Sequence, residues 1–225
     1  MEIIDKELII KKTMDFVKTA LKNAETGHDW WHSYRVWKLA LQIAKDEIDK
    51  SADVDLFTVE LGALLHDIAD PKFYDGDEQV GPSKAKDFLS SLEVNNDVIV
   101  HVVQIITNVS FGGGNFAQKF KSPELDIVQD ADRMDAIGAI GIARTFNYGG
   151  YRNRAIYDPN IKPNLNMTKE EYIKDNFSSL NHFYEKLLLV KDRMNTRSGR
   201  EIAEHRHEFV QQFLDEFLKE WDGER

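Results

Sequence analysis

Two histidines and two aspartates carry the sharpest chemical signal in the chain: His32, the adjacent pair His66 and Asp67, and Asp132. The pair follows Leu64 and Leu65 at the end of an apolar stretch, a costly place for ionisable groups. Burying such groups is unfavourable unless they are neutralised or paired, and a divalent cation pairs with both. His32 stands among Trp30, Trp31, Val36 and Leu39, and Asp132 in the run Asp130, Ala131, Asp132, Arg133, Met134, Asp135. Together they offer two imidazole nitrogens and two carboxylates to one ion, with coordination positions left over for water and substrate. The chain has no Cys, so thiolate sites and disulfides are excluded and a metal must be held by nitrogen and oxygen.

Helices have to bring these residues together. Apolar residues recur at helical spacing over about 4–23, through Ile9, Ile10, Phe16, Val17 and Leu21. A second helix, from about 29 to beyond 43, carries His32, and a third, over about 53–68, ends on the His-Asp pair with Leu61, Leu64 and Leu65 on its buried side. The stretch 71–81 reads as a surface loop, followed by shorter helices over about 82–92 and 95–107. The glycines at 112–114 read as a flexible connection, because no strand precedes them and no Lys-Ser/Thr follows at phosphate-loop spacing. Ser122 before Pro123 predicts the cap of a helix that carries residues 126–137 and continues toward Phe146.

Residues 149–167 predict a long irregular loop. Thr168 with Glu171, and Ser198 with Glu201, match the reciprocal capping spacing ahead of two late helices. No internal repeat and no period-two strand series occurs, so the expectation is an all-α, single-domain helical fold over 1–225. Its site core spans about 27–148 and its C-terminal helices about 168–222.

Composition narrows the partners. With 225 residues, 42% hydrophobic and 30% charged, the chain can bury a substantial core, and its net charge of −10 argues against a nucleic-acid polymer. A small anion remains compatible with an acidic protein, because local cations decide a site. No apolar run approaches the roughly 18 residues of a membrane span, and the first residues lack a secretory pattern. The expected location is therefore cytoplasmic, with no membrane partner. The late amphipathic helices suit a homodimer or the covering of the core equally well.

The order His32, then His66 with Asp67, then Asp132 resembles the HD superfamily of metal-dependent phosphohydrolases. Arg35 and Val36 after the first His, Gly62 to Leu65 before the pair, and Ala131 and Arg133 around the last Asp strengthen the likeness. The resemblance covers about 27–148 and implies a helical fold in which these four positions bind the metal. The string 130–146, with its repeated Gly, Ala and Ile, is similar to small stand-alone bacterial members, some of which split nucleoside triphosphates into monophosphate and pyrophosphate. Two-metal members carry further histidines between the pair and the last Asp. Only His101 lies there, so one divalent ion is expected: Mn first, with Fe, Co, Ni, Zn or Mg as alternatives.

Such an ion lowers the pKa of a bound water and polarises a phosphoryl oxygen. Asp70, three residues after Asp67, would share its helix face if the helix persists, and the resemblance gives an acid there the role of positioning or deprotonating that water. His28, Lys72, Arg133 and Arg144 are the substrate-binding candidates, His28 also as a group that orients a ligand. Each has a plainer reading: Asp70 as a turn residue before Pro71, and the cations as solvated or structural charges. The expected activity is hydrolysis of (deoxy)nucleoside triphosphates to monophosphate and pyrophosphate. A nucleoside monophosphate phosphatase, a cyclic-nucleotide phosphodiesterase and a non-catalytic nucleotide sensor are the alternatives. His205 and His207, two apart on a helix, face different directions and predict no shared metal.

Overall fold

The computed structural model describes residues 5–22, 24, 27–50, 52–69, 74, 76–109, 120–165 and 178–224. Among them every regular element is helical and no strand occurs, as the apolar spacing requires. The chain divides into two compact units, residues 1–132 and 133–225.

The first unit is built around an apolar helix. Helix α1 (Lys6–Ala20) is capped by Asp5, α2 (Trp30–Asp49) by Asp29, and α3 (Leu56–Leu65) by Asp55, whose carboxylate accepts the Phe57 and Thr58 N–H groups. These caps satisfy N–H groups that the first helical turn leaves without intrahelical partners. Helix α4 (Val80–Ser91) and α5 (Asn96–Val109) follow. Then α6 (Pro123–Met134) starts where Ser122 Oγ accepts the Leu125 N–H at 3.1 Å, as the Ser-Pro signal predicts.

A helix that is apolar all round must be buried all round, and α3 packs against α1, α2 and α5. Its Val59, Leu61, Ala63, Leu64 and Leu65 are fully buried. At about 1.5–3 kcal/mol for each large aliphatic side chain removed from water, this helix anchors the unit and fixes where its last residue ends.

Here the structure corrects an expectation. The predicted helix over 53–68 stops at Leu65, and His66 is its C-terminal cap. The Ile68 N–H reaches back to the Leu65 carbonyl at 3.3 Å in a turn. The helical-face argument that linked Asp67 to Asp70 therefore fails, because the helix does not persist.

The second unit has an aromatic core. Helix α7 (Gly138–Tyr151) packs on the long α9 (Arg197–Trp221), with the short α8 (Asn181–Glu185) and two single turns of 3-10 helix, Leu187–Leu189 and Lys191–Arg193, between them in sequence. Phe146 meets Phe183 and Phe213 at ring-centroid distances of 5.7 and 5.9 Å, and Phe183 stacks on Phe213 at 5.7 Å.

The single helix predicted to run through 126–137 toward Phe146 is two. Gly138 has φ +75°, a conformation that breaks a right-handed helix and that a side chain would resist. Gly149 is a close approach, where a Cβ would lie 2.0 Å from Ser179 Oγ. The late helix starts earlier than Ser198 predicts, because Thr196 is the cap and accepts the Gly199 N–H at 2.9 Å. The Thr168 capping signal and the glycines at 112–114 lie outside the described residues. Among the described residues no helix is long and apolar enough to cross a membrane.

Candidate metal centre

All four residues singled out by type and spacing belong to the first unit, and their donor atoms converge. The Nε2 atoms of His32 and His66 are 3.2 Å apart. Asp132 Oδ1 lies 3.3 Å from the first and 3.7 Å from the second. Asp67 Oδ2 lies 3.6 and 3.8 Å from the same two atoms. Donors about 2.1 Å from one ion stand roughly 3.0–3.4 Å from their neighbours in octahedral or tetrahedral arrangement, so the spacings among His32, His66 and Asp132 fit a shared cation to within a few tenths of an ångström. The structure groups these residues as two overlapping triads that share His32: His28, His32 and Asp67, and His32, His66 and Asp132.

Local structure aims each group. Asp29 accepts the His32 N–H at 2.9 Å while it caps α2, which fixes His32 in the first helical turn. His66 follows the last residue of α3, and its Nδ1 donates to the Ala63 carbonyl at 2.8 Å. That bond places a proton on Nδ1 and turns Nε2 toward the cluster, so Nε2 is the nitrogen that would give up its proton to a bound metal. His28 Nδ1 lies 2.5 Å from Asp67 Oδ2 and so braces the carboxylate. His32 and His66 are nearly sealed from solvent, at 2% and 6% exposure.

The electrostatics favour a cation. Burial opposes charge on His66, yet Asp67 and Asp132 outweigh it and raise the imidazole to about 9. Burial likewise opposes ionisation of Asp67, but His66 and His28 bring it down to about 2. Asp132, against burial, is held well below the ordinary carboxylate range by hydrogen bonds from His32 and His66. Two half-buried carboxylates that stay ionised beside two imidazoles form a cluster that favours positive charge.

Residues 30–137 match the HD domain family. An HD-superfamily hydrolase from Bacillus thuringiensis, known from its crystal structure, is 43% identical, with a TM-score of 0.76 over 96% of this chain and 98% of that one. The chain belongs to the HD superfamily of hydrolases. It is by family a metal-dependent hydrolase, and the His/Asp cluster described above could hold a divalent ion. The protein YpgQ of Bacillus subtilis (strain 168) is 38% identical over 209 residues, 92% of this chain and 91% of YpgQ. A crystal structure of YpgQ in complex with ADP superposes with a TM-score of 0.74, at 34% identity and 96% coverage of both chains.

The other candidate positions fare differently in this HD chain. Asp70 and Lys72 lie outside the described residues. His28, suggested as a substrate contact or an orienting group, is placed against the Asp67 carboxylate. The guanidinium of Arg133 donates to the Arg193 carbonyl at 2.6 Å, and that of Arg144 pairs with Asp135. Both contacts lie within the second unit and give each arginine a structural partner. His101 bonds Ser122 Oγ at 2.8 Å and lies 3.3 Å from Glu124 Oε2. Neither metal-compatible group among the described residues includes it, nor His205 or His207.

Proposed function

We propose that this HD hydrolase uses one divalent ion, Mn above the other candidates, to hydrolyse (deoxy)nucleoside triphosphates to monophosphate and pyrophosphate. The observation that carries the reading is the convergence of His32 Nε2, His66 Nε2, Asp67 Oδ2 and Asp132 Oδ1. The nucleotide part draws support from YpgQ, whose structure was solved in complex with ADP.

In this reading His32, His66, Asp67 and Asp132 hold the ion. When bound, the ion lowers the pKa of a water and neutralises charge on a phosphoryl oxygen. The Ala63 carbonyl holds the His66 ring through Nδ1, so that its Nε2 faces the cluster. His28 holds the Asp67 carboxylate in register, a positioning role that replaces direct substrate contact as its first function. Asp70 would position or deprotonate the attacking water. Lys72 takes most of the remaining phosphate charge, since Arg133 and Arg144 already serve the Arg193 carbonyl and Asp135. The two units acting as one HD-type domain over 1–225 is part of the same proposal.

Product analysis tests it. Purified protein with Mn is incubated with nucleoside tri-, di- and monophosphates and cyclic nucleotides, and Asp67→Ala serves as control. Pyrophosphate plus monophosphate, absent in the variant, is the expected result. Release of inorganic phosphate redirects the assignment to a phosphomonoesterase, and absence of turnover by metal-loaded protein redirects it to a nucleotide-binding role.

A further inference from the structure

The second unit carries a cavity of about 180 Å³ that the proposed hydrolysis does not use. Its described lining residues all belong to that unit, and none of the four candidate metal ligands is among them. The walls are apolar, formed by Pro159, Ile161, Pro163, Leu180 and Leu218. Tyr157, Lys162, Asn181 and Tyr184 complete the lining. A mostly apolar hollow with a few polar groups is the usual form of a small-molecule site.

Contacts among three segments hold this shape. Asn181, only 1% exposed, donates through Nδ2 to the Ile161 carbonyl at 2.9 Å, which ties the 157–163 segment to α8. The Leu180 N–H bonds the Ile156 carbonyl at 3.0 Å, and the Ile161 N–H bonds the Asp158 carbonyl at 3.1 Å. The Tyr157 ring packs edge-on against Trp221 and Phe217 of α9, at centroid distances of 5.0 and 6.1 Å. A cavity fixed in this way loses little freedom when a ligand enters.

Size and charge describe the occupant. A cavity of about 150 Å³ between aliphatic and aromatic side chains holds a benzene molecule, so this one admits a single six-membered ring with one small substituent. Lys162 brings the only charge among the described lining residues, and its ammonium makes no hydrogen bond or ion pair among them. The Asp158 carboxylate, four positions away, is engaged by the Asn160 N–H and side-chain amide at 2.9 and 3.0 Å. The hydroxyls of Tyr157 and Tyr184 are likewise without a hydrogen-bond partner. Burial first, then Tyr157 and Asp215, raise the Tyr184 phenol above its ordinary value, so it stays a donor at neutral pH. An ammonium and phenol O–H groups all donate, and a carboxylate only accepts. We propose that this cavity binds a small aromatic carboxylate, its ring between the apolar walls and its charge met by Lys162. The site needs no metal and stands apart from the hydrolysis reading.

The test uses the full chain in EDTA, so that no metal offers a rival carboxylate site. Tyrosine rings are followed by NMR, with the Tyr184 resonances assigned by Tyr184→Phe, while benzoate, benzamide and acetate are titrated separately. The expected result is saturable movement of Tyr184 with benzoate. Benzamide, which lacks the charge, and acetate, which lacks the ring, should each bind roughly tenfold more weakly or worse. Lys162→Gln, a change at an exposed position, should weaken benzoate by a similar factor, and Asp67→Ala should leave it unchanged. No saturable movement of Tyr184, or unchanged affinity in a folded Lys162→Gln protein, overturns the site. Benzamide as tight as benzoate overturns the carboxylate, and acetate as tight overturns the ring. Binding that disappears in a folded Asp67→Ala protein belongs to the metal centre and overturns the proposal as well.

Discussion

His66 in the first unit and His182 in the second are both withdrawn from solvent, yet their imidazoles move in opposite directions, to about 9 and to about 4. Burial opposes the charged form in each. The difference comes from the neighbours: Asp67 and Asp132 face His66, whereas Lys186 and Arg154 face His182. The contrast teaches that the sign of nearby charge, set by which elements pack together, decides whether a buried histidine is held charged or neutral.

The largest effect should come from removing a carboxylate at the cation-demanding centre. Asp132→Ala or Asp67→Ala is expected to lower metal-dependent turnover by about 10³-fold or more, since a catalytic ion can supply several kcal/mol of transition-state stabilisation. Metal content by plasma emission spectroscopy should fall in parallel; full occupancy in both variants would remove these carboxylates from the ligand set.

The two cores come next. Phe183→Ala in the aromatic core should cost about 3–5 kcal/mol and Leu64→Ala in the aliphatic one about 2–5 kcal/mol in urea unfolding. A loss under 1 kcal/mol at either site would contradict its full burial.

A smaller effect separates positioning from ligation. His28→Ala is expected to weaken metal affinity roughly 10–100-fold, the range for partners that orient a ligand, and His28→Gln should restore part of it by keeping a donor to Asp67. If metal affinity is unchanged but KM for nucleotide rises, His28 belongs to the substrate instead.

Titration sharpens the comparison further. In chelator-treated protein, NMR should find His66 still protonated at pH 7 and His182 neutral. The raised pKa of His66 stabilises the fold fully below its unfolded value of 6.5, and that contribution is lost as pH rises through about 9. The lowered pKa of His182 works the other way. No penalty exists above 6.5, and stability falls as pH drops from there toward about 4, because the unfolded chain binds a proton the folded chain refuses. Equal pKa values for the two rings would break the comparison.

Thr196→Ala removes the cap of α9 and should cost about 1 kcal/mol of stability with turnover unchanged.

Much of this was legible in residue order. Helical spacing of apolar side chains has a period of its own, so α1 to α5 appear within a few residues of where the pattern puts them. Ser122 marks a helix start because its hydroxyl has a fixed task there. The His, His-Asp and Asp positions stood out because four ionisable groups beside apolar helix faces need a common partner. Less was legible at the ends of elements. Whether α3 passes His66 depends on where its packing against α1, α2 and α5 ends, and the break at Gly138 depends on a backbone angle that any glycine permits and few require.

The sequence by itself determined the helical class, the absence of thiolate chemistry and the residue types offered to a metal, because these follow from periodicity, composition and donor chemistry. Only the tertiary structure decided that His28 braces Asp67 and that Arg144 is committed to Asp135. These pairings join residues up to 39 positions apart, and no local pattern records them: hydrogen bonds and charge act over a few ångströms of space, and the chain's path decides which groups come that close.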